Sequence, residues 1–243
     1  MATERSQASP LLNPDFNERL VLMLASAFFN GLTRQECIEI SSCGRARTFA
    51  RDELLYAQGG DAGKLIFLQS GTVKHTQVSS TGNEVLLWMS GAGEPVNVPT
   101  GGGSCGHSCS ARAMEKCTAM VWDYSRLQAL LDQYPQIRTN INRILEGRLT
   151  ELQERFREMA TENVRKRLAL VLLRLLKQVG TVSHEGTVVF LSREELGQMA
   201  GTTLFTISRV LSKWAEEGVV VSRREAVLVS DLERLELIGN EEA

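Results

Sequence analysis

The chain has 243 residues, enough for two cores of ordinary size. Hydrophobic residues make up 43% and charged residues 23%, the balance of a globular chain rather than a disordered one, and no apolar run approaches the roughly 18 residues that span a bilayer. The formal charge of −2 excludes a globally basic protein, and the segment 161–243, with 11 Lys and Arg against 12 Asp and Glu, is no exception, so any affinity for phosphate has to come from a few well-placed cations.

The first ten residues, Met1 to Pro10, lack the charged-then-apolar order of a signal peptide, and a cytoplasmic chain is expected. Five cysteines (Cys37, Cys43, Cys105, Cys109 and Cys117) are an odd number for a disulfide scaffold. Metal ligation, thiol sensing and plain packing remain open for them.

Residues 1–15 are polar. From 16 to 43 the apolar residues Phe16, Leu20, Leu24, Phe28 and Leu32 recur at helical spacing, and Thr33-Arg-Gln-Glu36 has the form of a capping box that starts a helix running to about Ser42. Residues 45–123 change character. Short β-prone runs at 65–68, 72–78, 84–89 and 119–122 are punctuated by glycines about every 11 residues, the pattern of a β-sandwich or β-roll. The Gly/Cys-rich stretch 98–110 interrupts that pattern and reads as a loop.

After Pro135, apolar residues fall at Ile137, Ile141, Leu145, Leu149, Leu152, Phe156 and Met159, which is one continuous stripe on a long helix. Such a stripe needs an apolar partner, and a second copy of the same helix supplies one, so residues 135–160 are expected to form a parallel homodimer. A further helix over 164–179 and a strand at 187–191 follow.

The stretch Leu191 to Trp214 reads as two short helices joined by a tight turn. Ser192 is a good N-cap with Glu195 in the capping-box position, Gly197 and Ala200 are small enough for a close crossing, and Gly201 suits a turn of positive φ. In the second helix Ile207, Val210, Leu211 and Trp214 share the core face. The other face presents Thr203, Phe205, Thr206, Ser208, Arg209, Ser212 and Lys213. This is the layout of a helix-turn-helix. Arg209 is suited to a bidentate contact with guanine, Ser208 to a base edge or phosphate, Phe205 to a thymine methyl group, and Thr203 and Thr206 to phosphates. Val219–Val221 and Val227–Val229 flank a hairpin, or wing, with Arg223 and Arg224 at its tip for backbone contacts, and 231–238 closes the chain as a helix.

The order of β-roll, long helix and winged helix resembles the Crp/Fnr family of bacterial transcription regulators over roughly residues 16–238. Its most specific part is Leu191-Ser-Arg-Glu-Glu-Leu-Gly-Gln-Met-Ala-Gly followed by Thr-Ile-Ser-Arg-Val-Leu. Gly93-Glu94 is similar to the head of the family's effector cassette, and Val164–Leu168 to the start of its DNA-binding domain. The resemblance implies an α+β chain with three parts: an antiparallel β-roll (a cupin-like jelly roll) over 16–134, a dimerisation helix over 135–160, and a winged helix-turn-helix over 161–243. It implies a homodimer on a palindromic operator in double-stranded DNA, RNA polymerase as a further partner, and no membrane association. Fnr-like members carry Glu-x-x-Ser-Arg in the recognition helix. Phe205-Thr-Ile-Ser208-Arg209 keeps the Ser-Arg and replaces the Glu, which puts the family's TTGAT-type half-site in doubt at one base.

The signal is less defined. Cyclic-nucleotide members hold the cyclic phosphate with an Arg-Ser pair, whereas the equivalent stretch here is His107-Ser-Cys-Ser-Ala111, with Arg112 falling later. The long helix offers Leu152-Gln153 where those members present hydroxyls, so cAMP is not expected. Cys37, Cys43, Cys105, Cys109 and Cys117 are candidate ligands of an iron–sulfur cluster, although the N-terminal cysteine cluster of oxygen-sensing Fnr is absent. Cys105-Gly-His107-Ser108 resembles the haem-ligand segment of the family's CO sensor, a weaker lead. Glu94, His107, Cys105 and Cys109 are the candidate effector or sensor residues, with a redox, oxygen or gas signal as the expectation. A cysteine-independent regulator that binds a small organic or nucleotide effector in the β-roll is the alternative. A metalloenzyme of the cupin type, with His75, His107 and Glu94 around a metal, lacks the His-x-His spacing and leaves the winged helix unexplained; the chain is not expected to be an enzyme.

Overall fold

The computed structural model describes residues 14–98 and 106–241. The chain enters through α1 (Pro14–Ala25), a 3-10 turn (Ala27–Phe29) and α2 (Arg34–Ser42). The helical spacing over 16–43 is therefore interrupted: the Ser26 hydroxyl accepts the Phe28 N–H at 3.2 Å and starts a new turn. The capping box of α2 is formed as its residues predict, with Glu36 N–H donating to Thr33 Oγ1 at 3.3 Å and Thr33 N–H to Glu36 Oε2 at 2.7 Å.

Seven strands follow: β1 (Arg45–Phe49), β2 (Leu54–Tyr56), β3 (Lys64–Ser70), β4 (Val73–Val78), β5 (Glu84–Ser90), β6 (Ser110–Ala113) and β7 (Cys117–Asp123). They form two antiparallel sheets, β1-β7-β3 and β2-β6-β4-β5, which enclose a core of Phe49, Ile66, Leu68, Val73, Ala111 and Val121. This is the expected β-roll. Gly71 turns β3 into β4 at φ 87°, and a Cβ there would lie 2.6 Å from Cys117 Sγ, so neither the conformation nor the space admits a side chain. The second face of β3 and β7 places Leu65, Phe67, Met120 and Trp122 against Phe28, Phe29, Ile137 and Ile141, and Trp122 Nε1–H donates to Ile40 O at 2.9 Å.

β1, β2 and β6 are short and carry polar residues, and the sequence pattern did not mark them. Ser110 belongs to β6 rather than to a loop. Residues 99–105 of the Gly-rich stretch, with Cys105, lie outside the described residues.

After α3 (Tyr124–Gln133), α4 runs over Pro135–Thr161. Its apolar stripe divides. Ile137 and Ile141 are buried in the β-roll's outer core, whereas Leu149, Leu152, Phe156 and Met159 are 56%, 59%, 75% and 44% exposed. Asn163 then caps α5 (Val164–Val179) by accepting the Lys166 N–H at 3.0 Å. β8 (Thr181–Ser183), β9 (Gly186–Val189), α6 (Arg193–Ala200), α7 (Leu204–Glu216), β10 (Val220–Ser222), β11 (Val227–Val229) and α8 (Leu232–Asn240) complete the chain. The wing hairpin β10–β11 is half of a four-stranded sheet ordered β10-β11-β9-β8. Leu172, Leu196, Ile207, Leu211 and Trp214 fill the core beneath it, and Leu86 and Met89 of β5 are part of that same core. The β-roll and the helix-turn-helix are thus packed together directly as well as joined through α4. No helix among the described residues is long and apolar enough to cross a membrane.

Candidate functional site

Two sites are built on this frame. The first lies on α6, α7 and the wing. Both capping-box bonds of α6 form, with Glu195 N–H donating to Ser192 Oγ at 3.2 Å and Ser192 N–H to Glu195 Oε2 at 2.9 Å. Gly201 ends α6 in the left-handed conformation at φ 61°. Thr203 is the N-cap of α7: its hydroxyl accepts the Thr206 N–H at 3.3 Å and lies 3.1 Å from the Thr206 hydroxyl. The Thr203 hydroxyl is therefore committed to the helix start, and what remains for a phosphate is the helix N-terminus itself. Ile207, Leu211 and Trp214 are buried, while Phe205 is 71% exposed and Arg209 is exposed beside it. An exposed phenylalanine flanked by an unpaired arginine on a rigid helix is an arrangement that a groove can cover.

Ser208 Oγ donates to Leu204 O at 2.8 Å and accepts from Arg193 Nη1 at 3.3 Å, and Arg193 Nη2 donates to Ser222 Oγ at 3.2 Å. Arg193, which the sequence reading did not single out, thereby ties the recognition helix to the base of the wing. Its place directly after the N-cap was the only local signal. The Arg223 N–H donates to Ala226 O at 2.8 Å to close the hairpin; Arg223 Nη2 lies 3.5 Å from Glu185 Oε2, and Arg224 is exposed. Arg167 fastens the turn from behind, donating to Ala200 O at 2.9 Å.

The second site lies inside the β-roll, where β2, β4, β5 and β6 meet α4. His75 is fully buried, with Nδ1 3.2 Å from the Tyr56 hydroxyl and Nε2 3.0 Å from Ser90 Oγ. Its ring stacks on Trp88 at 4.5 Å, and Tyr56 stacks on His107 at 3.8 Å. Arg148 enters from α4, donating to Pro95 O at 3.2 Å and lying 5.3 Å above the Trp88 ring. Burial pulls the Arg148 guanidinium below its usual pKa, and the Glu94 carboxylate opposes that shift. Burial also raises Glu94, against a hydrogen bond from the Gly91 N–H, and pushes His75 well below the usual histidine range, which keeps the imidazole neutral. Burial raises the Cys109 thiol, against hydrogen bonds from Tyr56 and Ser108.

Glu94, His107 and Cys109, three of the four candidate sensor residues, lie around Tyr56 and Arg148, and the fourth, Cys105, lies outside the described residues. Tyr56, Trp88 and Arg148 complete the group. They were missed because they come from separate elements and carry no local motif. Arg112, the nearest arginine to the 107–111 stretch, instead donates to Asp52 O at the surface at 2.6 Å.

The cysteines do not converge in the same way. Cys37 is buried in the outer core of the β-roll, Cys117 in the inner core and Cys109 beside Tyr56, while Cys43 is exposed. Among the described residues no three His, Cys, Asp or Glu side chains come together as a metal site. The proposed five-cysteine cluster is thus corrected: Cys37, Cys43, Cys109 and Cys117 occupy separate places because three of them pack as small apolar residues, and Cys105 lies outside the described residues. Burial pushes the Cys37 thiol up to about 11 and also raises Cys117, the reverse of the lowered pKa that makes a thiol reactive. The cupin-type site is not assembled either. Both nitrogens of His75 are taken by Tyr56 and Ser90, and His107 lies flat on Tyr56.

Two domain families match the chain. Residues 46–134 match the cyclic nucleotide-binding domain family and residues 166–238 the Crp-like helix-turn-helix domain family. The chain is 30% identical to the cyclic AMP receptor protein of Thermus thermophilus, over 86% of this chain and 98% of that protein. It is 24% identical to the transcriptional activator protein anr of Pseudomonas aeruginosa, over 81% and 82%. Among solved structures, FixK2 from Bradyrhizobium japonicum shares the fold with a TM-score of 0.71 at 19% identity, covering 82% of this chain and 99% of that one. The chain belongs to the Crp/Fnr family of DNA-binding transcription regulators.

Proposed function

We propose that the protein is a homodimeric, sequence-specific regulator that reads a palindromic operator in double-stranded DNA and answers to a small effector received inside the β-roll. The observation that carries the DNA reading is the exposed face of α7, with Phe205, Ser208 and Arg209 held on a buried Ile207–Leu211–Trp214 ridge and tied to the wing through Arg193. Arg209 and Ser208 read base edges, Phe205 meets a thymine methyl group, and Thr206, the α7 N-terminus, Arg223 and Arg224 hold phosphates. The exposed half of α4, Leu149 to Met159, pairs with its copy in the dimer. In this reading the sensor domain spans 16–134, the dimer helix 135–160 and the reader 161–243, and RNA polymerase is the downstream partner.

For the signal, the geometry favours the cysteine-independent alternative. The aromatic, histidine and arginine cluster around Tyr56 and Arg148 provides stacking faces and a partly buried cation, whereas the described cysteines are dispersed and burial raises the thiols of Cys37, Cys109 and Cys117. The 107–111 stretch offers no arginine to a cyclic phosphate, so an effector other than cAMP fits this site better. A thiol signal would have to run through Cys109 and Cys105.

Arg209→Ala tests the reader. On a duplex selected from a randomised pool, fluorescence anisotropy is expected to show a loss of about 1–3 kcal/mol, with binding to scrambled duplex nearly unchanged. An equal loss on both duplexes would remove Arg209 from base reading.

A further inference from the structure

The first turn of α7 puts two apolar side chains at the surface. Leu204 and Phe205, directly after the Thr203 cap, are 42% and 71% exposed. Neither side chain can donate or accept a hydrogen bond. The hydroxyls around them are already engaged. The Thr203 hydroxyl accepts the Thr206 N–H and faces the Thr206 hydroxyl, while the Ser208 hydroxyl gives its proton to Leu204 O and accepts from Arg193. Ser208 therefore keeps one lone pair for a base and no proton. Arg209, Ser212 and Lys213 are exposed further along the helix. The face thus carries two rows stepping by four residues, Leu204–Ser208–Ser212 and Phe205–Arg209–Lys213. The buried Ile207–Leu211–Trp214 ridge beneath them fixes both rows in place.

We infer that Leu204 joins Phe205 in reading the C5-methyl group of pyrimidines, so that this contact responds to DNA methylation: 5-methylcytosine substitutes for thymine at the start of α7, and cytosine and uracil bind more weakly there. This rests on the DNA-reading assignment above. The N-terminal residues of a recognition helix are the ones that meet base edges in the major groove. In that groove the four bases offer nitrogen and oxygen atoms, and thymine alone adds a methyl group. Setting Leu204 and Phe205 against a nitrogen or oxygen would strip water from that atom without replacing its hydrogen bond, which costs free energy. Setting them against a methyl group buries apolar surface on both sides. 5-Methylcytosine carries the same methyl on the same ring carbon and differs from thymine in the group at C4, an amino donor in place of an oxygen acceptor. A contact made of carbon and hydrogen alone does not register that difference. Arg209 lies one turn further on, about 6 Å along the axis. The methyl-bearing pyrimidines are therefore placed within about two base pairs of the guanine that Arg209 contacts.

The test starts from the duplex that the wild type selects from a randomised pool. Each thymine of a half-site is replaced in turn by deoxyuridine, which removes only the methyl group. Each T·A pair is also replaced by C·G and by 5-methyl-C·G, and fluorescence anisotropy reads the dissociation constants. At one or two positions the loss of the methyl group is expected to weaken binding about fourfold, the effect of exposing one methyl-sized group. At the same positions 5-methyl-C·G is expected to bind about fourfold tighter than C·G. Leu204→Ala and Phe205→Ala bring these ratios toward one, and Phe205→Leu keeps them. Far-UV circular dichroism checks that the variants are folded. Equal binding of the thymine and deoxyuridine duplexes at every position overturns the inference. So does a 5-methyl-C·G duplex that binds no better than C·G, or a methyl dependence that is as strong in the folded Leu204→Ala, Phe205→Ala double variant as in wild type. Failure of the wild type to select any duplex would instead overturn the DNA-reading assignment.

Discussion

Replacing Leu152 and Phe156 together with aspartate is expected to convert the protein to a monomer without unfolding it. The two side chains are 59% and 75% exposed and belong to none of the protein's own cores. Full burial of a side chain of this size contributes about 1.5–3 kcal/mol. Scaled by the exposed fractions and doubled for the two copies, their loss removes about 4–8 kcal/mol from a symmetric interface, before the cost of burying four carboxylates. That corresponds to a weakening of the dimer by about a thousandfold or more. Sedimentation equilibrium over a concentration series reads the association constant, and far-UV circular dichroism checks that the helices persist. A dimer of unchanged strength in the folded double variant would refute the placement of the interface on the C-terminal half of α4.

Two further outcomes follow from the buried groups. His75 is neutral in the folded state with its pKa well below 6.5, so its contribution to stability is complete above the unfolded value and is lost as pH falls below it, by up to about 1.4 kcal/mol per pH unit for one proton. Urea unfolding at pH 7.5 and 5.5 is expected to show that loss, smaller in His75→Gln than in wild type; equal slopes in the two proteins would contradict a neutral, buried imidazole. Among the described cysteines, alkylation of the native protein mapped by mass spectrometry is expected to label exposed Cys43 well before buried Cys37, Cys109 and Cys117. Rapid labelling of Cys109 would revive a thiol-based signal.

What could be read in the chain was what is local. The capping boxes at Thr33–Glu36 and Ser192–Glu195 use partners three residues apart, and both form as the spacing demands. The α7 core ridge repeats at the helical period. Strand β1, Arg-Ala-Arg-Thr-Phe, exposes four of its five residues, and β6 is only Ser-Ala-Arg-Ala, so neither has the apolar run that marks a strand. The α4 stripe was visible as one feature, but only packing could divide it, because Ile137 and Leu152 are equally apolar and differ in what the fold puts opposite them. The ion pair of Lys74 with Glu195 joins residues 121 apart, and Arg148 looks like one more cation on a polar helix face until the β-roll closes over it. The cysteines misled for a related reason: their number and spacing carry no record of depth, and burial is what sets a thiol's chemistry.

The central claim is that two copies of the α7–wing surface read DNA as a symmetric pair. Sequencing the duplexes that the wild-type dimer selects from a randomised pool tests it most directly. The predicted result is an inverted repeat whose half-sites are centred about one helical turn, or 34 Å, apart or at a multiple of it, and whose symmetry is lost in the monomeric Leu152→Asp, Phe156→Asp variant. Enrichment of a single asymmetric site by the wild-type dimer, or of no sequence at all, would contradict it.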